Sequence, residues 1–209
     1  MSEKVLNISG YTGGLLGTNG FFAAAGGQNG VLIDAPKGIA GWAKENGYHV
    51  DALLLTHQHF DHIEDVAAVA KEWDCPVFSW SSYDRGLTLE DFFGGFGGIS
   101  LELEPFEVSE VIAGRDSLAV GALEFKQIHV PGHSPDSVCF LHQPTGELFG
   151  GDVVMSGSIG RSDFPGGDGD LLVRGIKEKI LTLEPSVRIW PGHGPETTVE
   201  AEQTSNPFL

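Results

Sequence analysis

The sequence predicts an α/β protein that forms a single domain over residues 1–209. Both halves of the chain run from short, strand-like apolar segments to a helical segment, which suggests two similar layers that face each other. The segment Ala52–Thr56 is a continuous apolar run, as expected for a strand that is buried on both faces. The 30 glycines indicate many tight turns and close backbone approaches rather than one long helical bundle.

In the first half, the predicted elements alternate between strands and helices. The turn Gly27–Gly30 is expected to join two strands as a hairpin. Apolar residues recur at helical spacing between Ile63 and Trp73, so one helix is predicted over Asp61–Trp73. Residues 81–98 are predicted to form a partly helical surface loop. The remaining elements are strands at Val5–Gly10, Phe21–Ala25, Val31–Asp34 and Pro76–Trp80, and a helix at Gly38–Glu45.

In the second half, hairpins dominate the prediction. Leu118–Val120 pairs with Leu123–His129, and Val138–His142 pairs with Leu148–Val154 across a turn at Pro144–Gly146. The chain is then predicted to finish with a helix over Leu171–Leu183, a strand over Val187–Trp190 and a short helix near Thr198–Gln203.

Composition and charge narrow the classes of function. The formal net charge is −17, which repels the phosphate backbone and argues against nucleic-acid partners and anionic membranes. No run of about 20 apolar residues occurs, so no transmembrane helix is expected. The apolar segment 5–27 is interrupted by glycines and is interpreted as strands rather than a signal peptide. The chain has only two cysteines, Cys75 and Cys139, so a disulfide scaffold is not expected. We therefore expect the protein to work in a reducing, cytoplasmic compartment.

The strongest chemical signal is the segment 56–62, which reads THQHFDH. It follows the predicted buried strand and precedes the predicted helix. His57 and His59 are two residues apart and point the same way on extended backbone, while Asp61 and His62 fall on the first helical turn. Three histidines and an aspartate within six residues indicate a metal site rather than a polar loop with incidental histidines.

Three further candidate ligands follow the ends of strand-like segments. His133 lies in Pro131-Gly132-His133, Asp152 follows Gly151, and His193 lies in Pro191-Gly192-His193-Gly194. Each is next to a glycine, which allows a sharp turn and a close backbone approach. Nitrogen and carboxylate donors of this kind suit zinc, iron or manganese.

These motifs identify the chain as similar to the metallo-β-lactamase superfamily, in its glyoxalase II-like branch of small hydrolases. Further matches are GSIGRSDFPGGD at 157–168 and the closing NPFL at 206–209, so the resemblance covers nearly the whole chain. The resemblance implies a four-layer αβ/βα sandwich with the site at the sheet edges.

The resemblance also implies two divalent metal ions, with zinc expected and iron or manganese as alternatives. The first would be bound by His57, His59 and His133, and the second by Asp61, His62 and His193, with Asp152 bridging both. Asp61 and Asp152 are the expected catalytic carboxylates. Two such ions can activate a hydroxide near neutral pH for attack on a polarised carbonyl.

Residues outside this set receive weaker assignments. Asp34 either orients a metal-binding histidine or only forms a turn before Ala35-Pro36. Arg161 and Ser162 are candidate binders of a substrate carboxylate, the alternative being a structural pairing of Arg161 with Asp163 or Asp168. Three histidines, His49, His129 and His142, are not expected to be ligands.

The function that the resemblance implies is hydrolysis of a small thioester, such as an acyl-glutathione, by a metal-activated hydroxide. Full-length glyoxalase II proteins carry a C-terminal helical region that supplies much of the glutathione site, whereas this chain ends soon after PGHG, so the identity of the thiol stays open. One alternative is a mononuclear-iron persulfide dioxygenase that uses His57, His133 and Asp152. Another is a metal-binding protein without catalysis. β-Lactamase activity is less expected, and the oligomeric state is not predicted.

Overall fold

The computed structural model describes residues 5–94 and 103–209, which form two six-stranded sheets flanked by helices. The first sheet contains, in spatial order, β1 (Asn7–Gly13), β2 (Thr18–Ala24), β3 (Asn29–Ile33), β4 (His49–Leu54), β5 (Val77–Ser79) and β6 (Glu110–Val111). Its first three strands are antiparallel, and the pairs from β3 to β6 are parallel. Helices therefore occupy the crossovers between the parallel strands, as parallel connections require.

The strands of the second sheet are β7 (Ser117–Val120), β8 (Leu123–His129), β9 (Val138–His142), β10 (Glu147–Gly151), β13 (Arg188–Pro191) and β14 (Thr197–Thr198), and a separate hairpin joins β11 (Val154–Met155) to β12 (Ser158–Ile159). The spatial order of the second sheet is β14-β13-β10-β9-β8-β7. The helices are α1 (Ile39–Glu45), α2 (Phe60–Ile63), α3 (Val66–Trp73), α4 (Arg85–Thr88), α5 (Glu90–Gly94), α6 (Gly169–Gly175), which continues as a π-helical turn over Ile176–Ile180, and α7 (Val199–Ser205).

The alternation of side chains along the strands builds three apolar layers. On β4, Ala52 and Leu54 enter the core between the two sheets, whereas Leu53 packs towards α1 and α3. On β9, Phe140 enters the same central core and Leu141 packs towards α6. The order of layers is therefore helix, sheet, sheet, helix, which confirms the predicted αβ/βα sandwich.

The predicted helix over Asp61–Trp73 is wrong in one respect, because two helices, α2 and α3, occupy this range. The backbone nitrogen of Asp65 donates to the oxygen of Ala35 at 2.9 Å, and its carboxylate accepts from the nitrogen of Gly38 at 2.8 Å. These tertiary hydrogen bonds replace a helical one and end the first helix after a single turn.

The predicted strand Leu148–Val154 is also interrupted. Gly151 adopts the left-handed conformation with φ of 51°, so β10 ends there and Asp152 leaves the sheet. The prediction for residues 81–98 is confirmed where the structure describes it, since α4 and α5 cover most of 85–94. Residues 95–98 of that prediction lie outside the described residues.

None of the helices within residues 5–94 and 103–209 combines the length and apolar character that crossing a bilayer requires.

Gly132 is the glycine on which the approach of α6 to the second sheet depends. Its φ is 133°, and a Cβ atom there would lie 2.5 Å from the backbone nitrogen of Leu172 and 2.6 Å from the oxygen of Asp168. We expect Gly132→Ala to lower the free energy of unfolding of the metal-free protein by about 2–4 kcal/mol, because backbone atoms cannot move aside cheaply. Urea denaturation measures this change.

The matched control is Gly41→Ala in the exposed face of α1. Nothing lies within 4 Å of the added Cβ, and the backbone is helical. This variant should be stabilised by up to about 1 kcal/mol. Equal stability of the two variants would contradict the packing argument.

Candidate metal centre

The seven candidate ligands come from four loops that follow strand ends at one edge of the sandwich. The segment 57–62 follows β4, His133 follows β8, Asp152 follows β10 and His193 follows β13. Main-chain hydrogen bonds hold the two sheets together at this edge. Val138 donates to the oxygen of Thr56 at 2.9 Å, and Asn19 donates to the oxygen of Gly192 at 2.7 Å.

The donor atoms form three overlapping groups, and within each group they all lie within 4.8 Å of one another. The groups are His57, His59 and His133; His57, His62 and Asp152; and Asp61, His62 and His193. Asp152 lies in the middle, with its carboxylate oxygens 3.6 Å from His133 Nε2 and 3.4 Å from the Nε2 atoms of His62 and His193. The fold thus brings together all seven residues named from the sequence, and we call them the cluster.

Hydrogen bonds on the outer side of three histidines fix which ring nitrogen faces the cluster. The Nδ1 atom of His62 lies 2.8 Å from Asp34 Oδ2, and that of His133 lies 2.6 Å from the carbonyl oxygen of Arg161. Because a carboxylate and a carbonyl only accept, both Nδ1 atoms carry hydrogen. Thr56 Oγ1 donates to Asp34, so it accepts from His57 Nδ1, which lies 3.1 Å away. All three Nε2 atoms therefore face inward.

Burial keeps the first group of histidines neutral. It lowers the pKa of His57 well below its usual value, with the neighbouring His62 adding to the effect. It likewise lowers the pKa of His133, and that of His59 to about 3. The Nε2 atoms of His57 and His133 are nevertheless only 3.2 Å apart. Two unprotonated nitrogens at that distance repel each other unless a cation lies between or beside them.

The histidines and carboxylates of the second group form an ion network. Burial opposes the charged form of His62, yet the carboxylates of Asp61, Asp34 and Asp152 raise its pKa well above the usual value. Burial also works against His193, but contacts with Asp152 and Asp61 raise its pKa to about 10. Burial would raise the pKa of Asp152, whereas the neighbouring His62 holds it well below its usual range.

The donor set fits divalent cations on two further grounds. His62 Nε2 and Asp152 Oδ1 are buried and make no hydrogen bond to any described residue. Gly192 keeps the space beside these two atoms open, because a Cβ atom at this position would collide with Asp152 Oδ1 and with the His62 ring. Buried nitrogens and carboxylate oxygens that converge without partners are the donors that zinc, iron and manganese accept.

Asp34 settles one alternative left open by the sequence. It is buried, and its carboxylate accepts from the Thr56 nitrogen at 2.8 Å as well as from His62. Its φ of 59° is the left-handed region that aspartate tolerates better than most residues. It thus forms a sharp turn and orients a histidine of the cluster at the same time.

Three contributors to the site were not identified from the sequence. Thr18 Oγ1 donates to Asp61 Oδ2 at 2.6 Å, and Thr56 links Asp34 to His57. Gln58 lies between two candidate ligands but points away from them. Its Nε2 donates to Ser81 Oγ at 3.0 Å and its Oε1 accepts from Asp84 N at 3.0 Å, which ties the 57–62 segment to the chain before α4. Only the position of Gln58 between two histidines could have drawn attention to it.

A cavity of about 300 Å³ opens onto the cluster. Arg161 lines it, but its guanidinium makes two hydrogen bonds to Asp163, at 2.9 and 2.8 Å. This is the structural pairing that the sequence left as the alternative. Ser162 does not line the cavity, and its side chain lies close to Gly169. A carboxylate-binding role for Arg161 and Ser162 stays a prediction.

Comparison with known proteins agrees with this geometry. The profile of the metallo-beta-lactamase superfamily matches residues 16–193. The chain is 36% identical over 203 residues to "Probable metallo-hydrolase YqgX" of Bacillus subtilis (strain 168), covering 94% of each chain. It is 32% identical over 175 residues to the hydroxyacylglutathione hydrolase GloC of Haemophilus influenzae, covering 79% of each.

Two solved structures are similar over nearly their whole length. The BLEG-1 B3 metallo-beta-lactamase superposes with a TM-score of 0.86 at 31% identity, covering 97% of this chain and 99% of that one. TTHA1623 in a di-iron-bound form superposes with a TM-score of 0.80 at 34% identity, covering 96% and 100%. A four-layer sandwich whose strand ends gather histidines and aspartates, matched in sequence over most of its length, makes this chain a member of the metallo-beta-lactamase superfamily.

Proposed function

We propose that the chain is a metal-dependent thioester hydrolase. In this proposal His57, His59 and His133 bind one divalent ion, Asp61, His62 and His193 bind a second, and Asp152 lies between them. The observation that carries the proposal is the convergence of seven histidine and aspartate side chains from four loops, with His62 Nε2 and Asp152 Oδ1 buried there and without a hydrogen bond. Zinc is the expected metal, and the di-iron form of TTHA1623 supports iron as an alternative.

Ions bound there would supply a Lewis acid for the carbonyl and a water molecule activated at neutral pH. The protein's own groups set up this chemistry. Thr18 holds the Asp61 carboxylate through a 2.6 Å hydrogen bond, and Gly192 gives Asp152 room beside His62. We assign the acceptance of the attacking water's proton to one of these two carboxylates, Asp61 or Asp152, whose Oδ2 atoms lie 3.3 and 3.4 Å from His193 Nε2.

A thioester is the favoured substrate class for two reasons. GloC of Haemophilus influenzae is a hydroxyacylglutathione hydrolase, and this chain is 32% identical to it over 79% of that protein. A thiolate also leaves without a strong general acid, so few groups beyond the cluster are required. An acyl-glutathione or a related small thiol conjugate fits this class. The free, buried thiols of Cys75 and Cys139 support a reducing, cytoplasmic setting.

Hydrolysis of a β-lactam amide is the second candidate, because BLEG-1 is a B3 metallo-beta-lactamase at 31% identity. An amide nitrogen leaves less readily than a thiolate, so this reaction demands protonation of the leaving group. A chromogenic cephalosporin assayed beside a thioester compares the two activities directly.

Metal analysis of purified protein, coupled to a thioester-cleavage assay, tests the proposal. We expect two divalent ions per chain, loss of cleavage after treatment with a chelator, and recovery when zinc or iron is returned. One iron per chain, with oxygen uptake on glutathione persulfide and no thioester cleavage, would instead identify a dioxygenase.

A matched pair of histidine variants makes this assay specific to the cluster. His133→Ala removes one inward-facing nitrogen and should lower cleavage at least 100-fold. His142→Ala removes an equally buried histidine whose Nδ1 bonds to Thr145 in the second sheet. Equal losses in the two folded variants would count against the cluster.

Asp34→Asn tests the positioning of His62. The amide group would replace Oδ2, the oxygen that accepts from His62 Nδ1, and would favour the ring tautomer with hydrogen on Nε2. We expect zinc affinity to fall about 10–100-fold, as measured by competition with a chromogenic chelator. Asparagine also tolerates the positive φ at this position.

The control for this variant is Asp65→Asn. Asp65 is also buried and accepts from backbone nitrogens, but its partners are Gly38 and Ala40 rather than a histidine. It should lose some stability and keep its zinc affinity. Unchanged affinity in Asp34→Asn would show that Asp34 does not orient the site.

A further inference from the structure

One side of the cavity is built from three phenylalanines, Phe60, Phe93 and Phe164, which we call the aromatic wall. The ring centroids of Phe60 and Phe93 are 5.3 Å apart, and those of Phe93 and Phe164 are 5.6 Å apart. The rings meet nearly edge to face, so they support one another as a rigid surface. Phe164 also lies 5.9 Å from the ring of His59, which brings the wall up to the cluster.

The rest of the cavity lining, apart from the cluster and Arg161, is also apolar. Leu89 adjoins the wall, and Leu16 and Met155 complete the lining. Leu16 is 48% exposed on the turn between β1 and β2. An apolar group that covers this exposed leucine would remove apolar surface from water, which lowers the free energy of the complex.

The charges around the cavity disfavour an anionic group on the wall. Among the described residues of the lining, Arg161 is the only one with a permanent positive charge. Its guanidinium is already hydrogen-bonded to Asp163, and its Cζ atom lies 4.4 Å from the centroid of the Phe164 ring. Asp163 therefore engages two of the guanidinium nitrogens, Nε and Nη2, and the guanidinium also contacts the ring.

We propose that the aromatic wall selects an uncharged, apolar acyl group on the thioester substrate. This inference rests on the proposed hydrolase function and narrows it. Phe164 of the wall contacts the ring of His59, so a group that packs on the wall lies within reach of a carbonyl at the cluster. Flat or branched apolar acyl groups bury the most surface there, whereas a carboxyacyl group would lose hydration without gaining a partner on the wall.

A substrate series with one neutral thiol tests the assignment. Acetyl, hexanoyl, phenylacetyl and succinyl thioesters of N-acetylcysteamine differ only in the acyl group. We expect kcat/KM for the phenylacetyl thioester to exceed that for the acetyl thioester at least tenfold, with the succinyl thioester lowest.

Variants of the wall locate this preference. Phe164→Ala should lower kcat/KM for the phenylacetyl thioester about tenfold and change it less than threefold for the acetyl thioester. Phe164→Leu, which keeps an apolar side chain, should retain part of the preference and guards against a folding defect. Phe208→Ala is the matched control, because Phe208 is 55% exposed and does not line the cavity.

Several outcomes would overturn the inference. Equal kcat/KM values across the acyl series would do so, as would an apolar preference confined to the thiol side. A preference for the succinyl thioester that is lost in Arg161→Gln would place a substrate carboxylate on Arg161 instead.

Failure of the proposed function is distinguishable from failure of this inference. If metal-loaded protein cleaves none of the thioesters, the hydrolase proposal fails, and the wall is then tested by binding alone. Saturation-transfer NMR with phenylacetamide should show binding that Phe164→Ala abolishes. No binding of phenylacetamide to the unmodified chain would overturn the apolar assignment.

Discussion

Three histidine rings are held from behind so that their Nε2 atoms face one buried point, and the rest of the site depends on this constraint. Each ring donates a hydrogen bond from Nδ1 to a group behind it. His62 donates to Asp34, His57 to Thr56, and His133 to the carbonyl oxygen of Arg161. Burial keeps His57 and His133 neutral although their Nε2 atoms are 3.2 Å apart. A cation bound beside these two nitrogens would relieve the repulsion, and for this reason the geometry favours metal binding at this point.

The sandwich holds these histidines at the edge where its strands end, so the candidate ligands lie on loops and not on strands. The two sheets share a central apolar core, and their ends are joined by the bonds from Val138 to Thr56 and from Asn19 to Gly192. Rigid strands thus fix the starting points of loops that would otherwise move independently. Gly151 then turns the chain so that Asp152 reaches the middle of the cluster.

The sequence predicted all seven cluster residues from local motifs, and it predicted the four layers through the family resemblance that those motifs carry. The continuous apolar run Ala52–Thr56 and the dense histidine motif at 57–62 can be recognised without knowledge of the fold. The two-residue break between α2 and α3 was missed because it depends on Asp65, whose partners Ala35 and Gly38 are about 30 residues away. Such tertiary hydrogen bonds leave no periodic trace in the sequence.

The residues that support the cluster were also missed because their contacts are tertiary. Thr18 contacts Asp61 across 43 positions of sequence, and nothing near Thr18 marks it as part of a metal site. The sequence offers Arg161 as a candidate substrate-binding residue, and only coordinates show that its side chain pairs with Asp163. The carbonyl oxygen of Arg161, which orients His133, is a backbone atom and carries no side-chain signature at all.

Anomalous diffraction from a crystal soaked in zinc would test the central claim most directly. The account predicts two peaks, one among His57, His59 and His133 and the other among Asp61, His62 and His193, with Asp152 between them. A map without a peak at the cluster, or with zinc bound only at surface carboxylates, would contradict it.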